Sequence, residues 1–280
     1  MSTISFPEFD SIRLELNEHC LQVWLNRPKS RNAMSLQMVK ELMALFEILE
    51  DQSEIRTLLL RGSEGNFCSG GDIKDMAAAR AASASQKSQD IESSDISNDP
   101  FYQLNREFGH MITRANRLPV VVVAVLEGAV LGGGFGLACI SDVAIAVDGV
   151  QFGLPETGLG IPPAQIAPFV LKRIGLTQAR RLMLLGSRFG AEEAHELGLV
   201  HYQTNPDRLD ELLSSILSQI KRCAPGANAT TKAILLAAET MEHEALLDFA
   251  AGRFADSIYS AEGSEGTLAF VQKRKAAWAE

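Results

Sequence analysis

Two glycine-rich segments and one isolated carboxylate are the groups among these 280 residues that could do chemistry together. The first segment, Asn66-Phe67-Cys68-Ser69-Gly70-Gly71-Asp72-Ile73-Lys74, follows a strand-like run and precedes a helical one. The second, Glu127-Gly128-Ala129-Val130-Leu131-Gly132-Gly133-Gly134-Phe135-Gly136-Leu137-Ala138, is placed in the same way. Glycine lets a backbone approach a ligand closely and adopt positive φ. The free N–H groups at a helix start point outward, with the positive end of the dipole behind them. One amide from each loop can therefore hold a carbonyl oxygen that becomes negative during reaction; losing one such donor typically costs roughly 3–4 kcal/mol of transition-state stabilisation. In a third segment, Gln151 to Pro163, Glu156 stands alone among apolar residues, glycines and prolines. Desolvation there would raise its pKa and suit it to moving protons near neutral pH.

Each feature by itself has a plainer reading. A Gly-Gly-Gly run before a helix also fits tight packing, and Glu156 also fits a partly exposed loop. Neither loop satisfies the dinucleotide fingerprint GxGxxG or the phosphate-binding GxxxxGK[ST], and no GxSxG nucleophile elbow occurs. The five histidines show no ligand spacing, and the four cysteines lack CxxC spacing, so no metal site or disulfide framework is expected. Cys68 reads as a small packing residue rather than a nucleophile.

The elements that would position these groups alternate between strand and helix. Ile12 to Leu16 and Leu21 to Leu25 are strand-like, with Asn17-Glu18-His19 as a hairpin turn. Ser35 can cap a helix reaching about Leu49. Thr57 to Leu60, Val120 to Leu126 and Val143 to Val147 are short strands, the valine run having the pattern of a sheet buried on both faces. Residues 77–99 form a low-complexity Ala/Ser/Gln/Asp insertion, expected to be helical at its start and mobile afterwards. It could be a solvated surface loop or a lid that shapes a ligand pocket. Helical patterning resumes from Phe101 to Asn116, and from about Asp207 the chain is almost entirely helix-like with a break at Cys223 to Gly226. The expected division is a core over 1–205 and a helical assembly region over 206–280.

Composition bounds the rest. With 46% hydrophobic and 22% charged residues, the chain has the make-up of a globular protein with a substantial core. A net charge of -9 argues against bulk attraction to nucleic acid or anionic membrane, while leaving room for a local basic pocket. The most apolar stretch, Leu118 to Val147, is broken by Glu127, Asp142 and glycines and fits a buried strand, turn and helix better than a membrane span. Residues 1–19 read as neither a signal peptide nor a transit peptide, and Trp278-Ala279-Glu280 matches no peroxisomal address; a cytoplasmic location is expected.

Taken in order and spacing, the segments resemble the crotonase (enoyl-CoA hydratase/isomerase) family over nearly the whole chain. The likeness begins at Leu25-Asn26-Arg27-Pro28 and runs through both glycine loops and Leu154-Pro155-Glu156. It continues in Gly190 to Ala194 and Leu197 to Val200 and ends at Ala269 to Lys275. It implies an α/β fold, a spiral of ββα units followed by a C-terminal helical trimerisation region, assembling as a homotrimer or a dimer of trimers. It implies an acyl-CoA substrate, with oxyanion amides at Gly71 and Gly133 and CoA contacts along Ser69, Gly70, Asp72, Ile73 and Lys74. Arg27 would lie near the CoA phosphates, with Phe270 and Lys273 reaching a nucleotide bound mainly by a neighbouring subunit. No metal or redox cofactor is implied, because coenzyme A belongs to the substrate. Hydratases of this family use two glutamates around one water; the later corresponds to Glu156, whereas the earlier falls at Gly136. A hydratase with Glu156 alone or with a substitute partner, a Δ3,Δ2-enoyl-CoA isomerase with Glu156 as single proton shuttle, and a non-catalytic acyl-CoA-binding module all remain open. Ile161-Pro162-Pro163-Ala164-Gln165-Ile166-Ala167-Pro168-Phe169 and Asp99 to Arg106 resemble the branch that hydrates methylglutaconyl- and isohexenylglutaconyl-CoA. Such a substrate carries a second carboxylate, which calls for a cationic or amide donor in the acyl pocket.

Overall fold

The hairpin at the start of the chain forms as its patterning predicts. β1 (Ile12–Asn17) pairs antiparallel with β2 (Cys20–Leu25), and Glu18 takes the left-handed conformation in the turn. The structure is a computed structural model that describes residues 4–88 and 95–280. Ser35 Oγ accepts from the Met38 amide to cap α1 (Leu36–Glu50), which buries Met38, Leu42, Leu45, Phe46 and Leu49 at helical spacing. β2 then pairs in parallel with β3 (Thr57–Gly62). α2 (Ile73–Ser88) follows the first glycine loop and α3 (Pro100–Arg117) begins at a cap from Asp99, whose Oδ1 accepts from Phe101 and Tyr102. The Ala-rich start of the 77–99 insertion is thus helical; the stretch expected to be mobile lies largely outside the described residues.

β4 (Val121–Leu126), β5 (Ala129–Leu131), α4 (Gly133–Ile140), β6 (Val143–Val147), β7 (Gln151–Gly153) and α5 (Ala167–Leu185) carry the pattern onward. β8 (Arg188–Phe189), α6 (Ala191–Glu196) and β9 (Tyr202–Thr204) complete it. Among the described residues the strands form a six-stranded sheet, ordered β1-β2-β3-β4-β6-β9, and a three-stranded sheet, β5-β7-β8. Apart from β1 the larger sheet is parallel, and in β3 and β4 alternate residues serve two cores. Leu58, Leu60, Val122 and Ala124 face the cluster that contains α1, α3 and α4, whereas Leu59, Val123 and Val125 face Leu209, Leu213 and Ile216 of α7 (Leu209–Lys221). That two-sided burial is why the valine run carries no polar alternation. Beyond α7 come α8 (Pro225–Ala237), α9 (His243–Tyr259) and α10 (Ala261–Val271), the helical region expected at the C-terminus. The four shortest strands, β5, β7, β8 and β9, were not legible in the sequence, since two or three residues establish no period.

Candidate active site

The two glycine loops lie side by side. The Cys68 amide donates to Ala129 O at 2.8 Å, and the Leu131 amide donates back to Cys68 O at 2.9 Å. On its other side the first loop bonds to the chain before α1. Met34 N donates to Gly70 O at 2.8 Å, and Asp72 N donates to Met34 O at 3.0 Å. A parallel bridge of this kind engages the neighbours of Gly71 and turns the Gly71 amide the opposite way. Gly133 is the first residue of α4, so its N–H has no intrahelical acceptor. Among the described residues neither amide has a hydrogen-bond partner, and Gly71 is exposed. The expected oxyanion donors are thus both free.

Glu156 comes to the same place from the smaller sheet. The Gly132 amide donates to Gly153 O at 3.2 Å, joining the second loop to the end of β7 just before the turn Pro155–Leu159. Gly132 has φ 49° and ψ -115°, and a Cβ there would stand 2.7 Å from Glu156 Oε1 and 3.5 Å from Gly70 Cα. Only glycine takes this backbone without strain and leaves the carboxylate room. Glu156 Oε2 is buried without a hydrogen-bond partner among the described residues, and desolvation raises the carboxyl pKa. The turn is held by Thr157 Oγ1, which donates to Met183 O of α5 at 2.8 Å. Phe135 of α4 packs edge-on against Phe152 of β7 and Phe189 of β8, at centroid distances of 6.2 and 6.1 Å. This aromatic trio ties the glycine helix to the sheet that delivers Glu156.

The position of the absent glutamate is packed apolar. Gly136 is buried, and a Cβ there would lie 2.5 Å from Ile166 Cγ2 and 2.8 Å from Ile112 Cδ1. Glu127 does not take its place: it sits at the loop entry, paired with Arg61 at 3.1 Å. Above Gly136, Phe108 of α3 covers Gly133, its ring edge 3.1 Å from where a Cβ would be.

The residues expected to hold CoA divide into two groups. Ser69, Gly70, Asp72, Ile73 and Lys74 follow the first loop into α2, with Ile73 and Lys74 exposed. Arg27 joins them through a 2.6 Å ion pair with Asp72 and a 2.5 Å bond to Ala33 O. Burial alone would raise the Asp72 carboxyl, but the Lys74 amide and the Arg27 guanidinium outweigh it and hold it below the usual carboxylate range. Phe270 and Lys273 lie elsewhere, exposed on α10 and in the turn after it, and share no hydrogen bond or ion pair with the glycine loops among the described residues. Cys68 is buried, and desolvation pushes its thiol up to about 11, as expected of a packing residue. The described residues contain no cluster of three metal-ligating side chains and no helix long and apolar enough to cross a membrane.

A spiral of ββα units that presents two free amides beside a desolvated carboxylate defines a class of proteins built to handle a thioester oxygen and a neighbouring proton. The chain matches the enoyl-CoA hydratase/isomerase family over residues 15–280 and belongs to it. It is 56% identical to Pseudomonas aeruginosa AtuE, with a TM-score of 0.90 over 97% of this chain and 100% of that one. It is 51% identical to an enoyl-CoA hydratase/isomerase from Marinobacter aquaeolei, with a TM-score of 0.90 over 96% and 99% of the two chains. The short-chain-enoyl-CoA hydratase of Clostridium acetobutylicum is 28% identical over 274 residues, 96% of this chain and 97% of that protein.

Proposed function

We propose that this chain is an enoyl-CoA hydratase that adds water to an α,β-unsaturated acyl-CoA thioester, acting on a branched glutaconyl-type acid such as isohexenylglutaconyl-CoA or 3-methylglutaconyl-CoA. The observation that carries the reading is the desolvated Glu156 carboxylate set against Gly132, beside two glycine loops whose Gly71 and Gly133 amides are free. The thioester oxygen sits between those amides, which stabilise the enolate as water attacks the β-carbon. Glu156 takes the proton from that water and returns it to the α-carbon, so one carboxylate serves both steps. The substrate class rests on the likeness of Ile161 to Phe169 and Asp99 to Arg106 to the glutaconyl branch.

CoA runs along Ser69 to Lys74, with Arg27 sharing its charge between Asp72 and a phosphate, and Phe270 and Lys273 contribute to a neighbour's nucleotide in a trimer or a pair of trimers. The reaction needs no metal or redox group and takes place in the cytoplasm. Isomerisation of a 3-enoyl-CoA is the second reading, favoured by the apolar packing at Gly136, because one base suffices for it. A mere acyl-CoA binder has no use for the unpartnered Glu156 Oε2.

The test is to mix purified protein with crotonyl-CoA, 3-methylglutaconyl-CoA, isohexenylglutaconyl-CoA and a 3-enoyl-CoA, following conjugated enoyl-thioester absorbance and product mass. Loss of conjugation with gain of one water, fastest on a glutaconyl thioester, is expected. Conjugation appearing from the 3-enoyl-CoA with no water gained from any substrate would make the enzyme an isomerase.

A further inference from the structure

The acyl side of the site contains a polar cluster that the reaction itself does not use. Arg106 Nη1 donates to Gln165 Oε1 at 2.7 Å, and Gln165 Nε2 donates to Asn105 Oδ1 at 3.0 Å. The cluster is seated on Gly109: a Cβ there would fall 2.0 Å from Gln165 Oε1 and 2.7 Å from Arg106 Nη1. Its neighbours in the chain are residues that wall the site. Phe108, between Arg106 and Gly109 on α3, covers Gly133, while Ile166, next to Gln165, and Ile112, one turn past Gly109, close over Gly136. The cluster therefore borders the apolar wall formed by Phe108, Ile112 and Ile166 over the second glycine loop, beside which an acyl chain would run once its thioester oxygen lies at Gly71 and Gly133.

Arg106 is half-buried, and among the described residues it forms no ion pair. Two other arginines beside the loops are already neutralised, Arg27 by Asp72 and Arg61 by Glu127. A guanidinium has five N–H donors in a planar fork, and Gln165 takes one. A half-buried cation with unused donors beside an apolar wall suits a carboxylate that arrives with a ligand.

We propose that Arg106, held in place by Gln165 and Asn105, recognises the second carboxylate of a dicarboxylic acyl-CoA and so determines specificity. This assignment rests on the glutaconyl reading of the substrate. Gln165 fixes one edge of the guanidinium and leaves the other to form a bidentate pair, with the acid directed away from the thioester.

The experiment compares kcat and KM for 3-methylglutaconyl-CoA and for its ω-methyl ester in wild type, Arg106→Met, Arg106→Lys and Gln165→Leu. Wild type should prefer the acid. Arg106→Met should raise KM for the acid about 30- to 100-fold and leave the ester within about 3-fold. Arg106→Lys should recover part of the loss as a point charge, and Gln165→Leu should give a smaller loss, again on the acid alone. Equal activity of wild type on acid and ester would overturn the glutaconyl reading and this assignment with it. Acid preference that survives Arg106→Met, or a loss shared equally by acid and ester in both Arg106 variants, would overturn the role of Arg106 and leave that reading intact.

Discussion

Glu156 is pulled between stability and chemistry. Its carboxyl is desolvated and one oxygen has no partner, so the charged form is disfavoured, yet the charged form is the base. Because the folded pKa lies above the unfolded one, the native state binds this proton more tightly. Stability therefore declines as pH rises between the two values. At neutral pH Glu156→Gln should relieve that cost, melting at or above the wild-type temperature by up to about 3 °C in a calorimetric scan. The same variant should lower kcat by about 10²–10⁴-fold while leaving the affinity for product CoA thioester unchanged by titration calorimetry. Equal loss of binding and turnover would mean that Glu156 shapes the pocket instead. In wild type, kcat/KM should rise from low pH as Glu156 ionises, through a midpoint above the usual carboxylate range, and this limb should vanish in the glutamine variant.

At the scale of elements, α4 and the smaller sheet decide what chemistry the loops can support. Ile112 of α3 and Ile166 before α5 occupy the space that a side chain at position 136 would need. Gly136→Glu should therefore destabilise by about 1–3 kcal/mol in urea unfolding and should not raise the hydration rate. A faster and equally stable variant would show that the pocket can accept a second carboxylate. Phe152→Ala should cost about 3–5 kcal/mol by opening the aromatic trio that joins α4 to the Glu156 turn. The glycine loops, the valine strand and the lone glutamate were legible in the sequence because each violates an ordinary pattern. What fills the space at Gly136 was not, because Ile112 and Ile166 lie far from it in sequence and read there as ordinary apolar residues. The Arg27–Asp72 pair was likewise hidden: both residues suggested contacts with CoA, and their mutual bond depends on how the first loop folds back.

For the whole molecule, the C-terminal region is left unfinished by a single chain. α8 and α9 contain no fully buried residue, and Leu235, Phe254, Tyr259, Phe270 and Val271 stand exposed along α8 to α10. Apolar surface on that scale calls for a partner, and sedimentation should give a particle of three chains or a multiple of three, shifted by Phe254→Asp towards the single chain. Hydration at this site depends on Glu156 alone for both proton transfers, from the water and to the α-carbon. The most direct measurement is the mass of product formed in a single turnover of an enoyl-CoA thioester in heavy-oxygen water and in heavy water, by wild type and Glu156→Gln. Wild type should gain one solvent oxygen at the β-carbon and one solvent deuterium at the α-carbon, and within the time of a wild-type turnover the variant should gain neither while still binding the thioester. Deuterium gained without oxygen, or an undiminished water gain in the variant, would contradict the account.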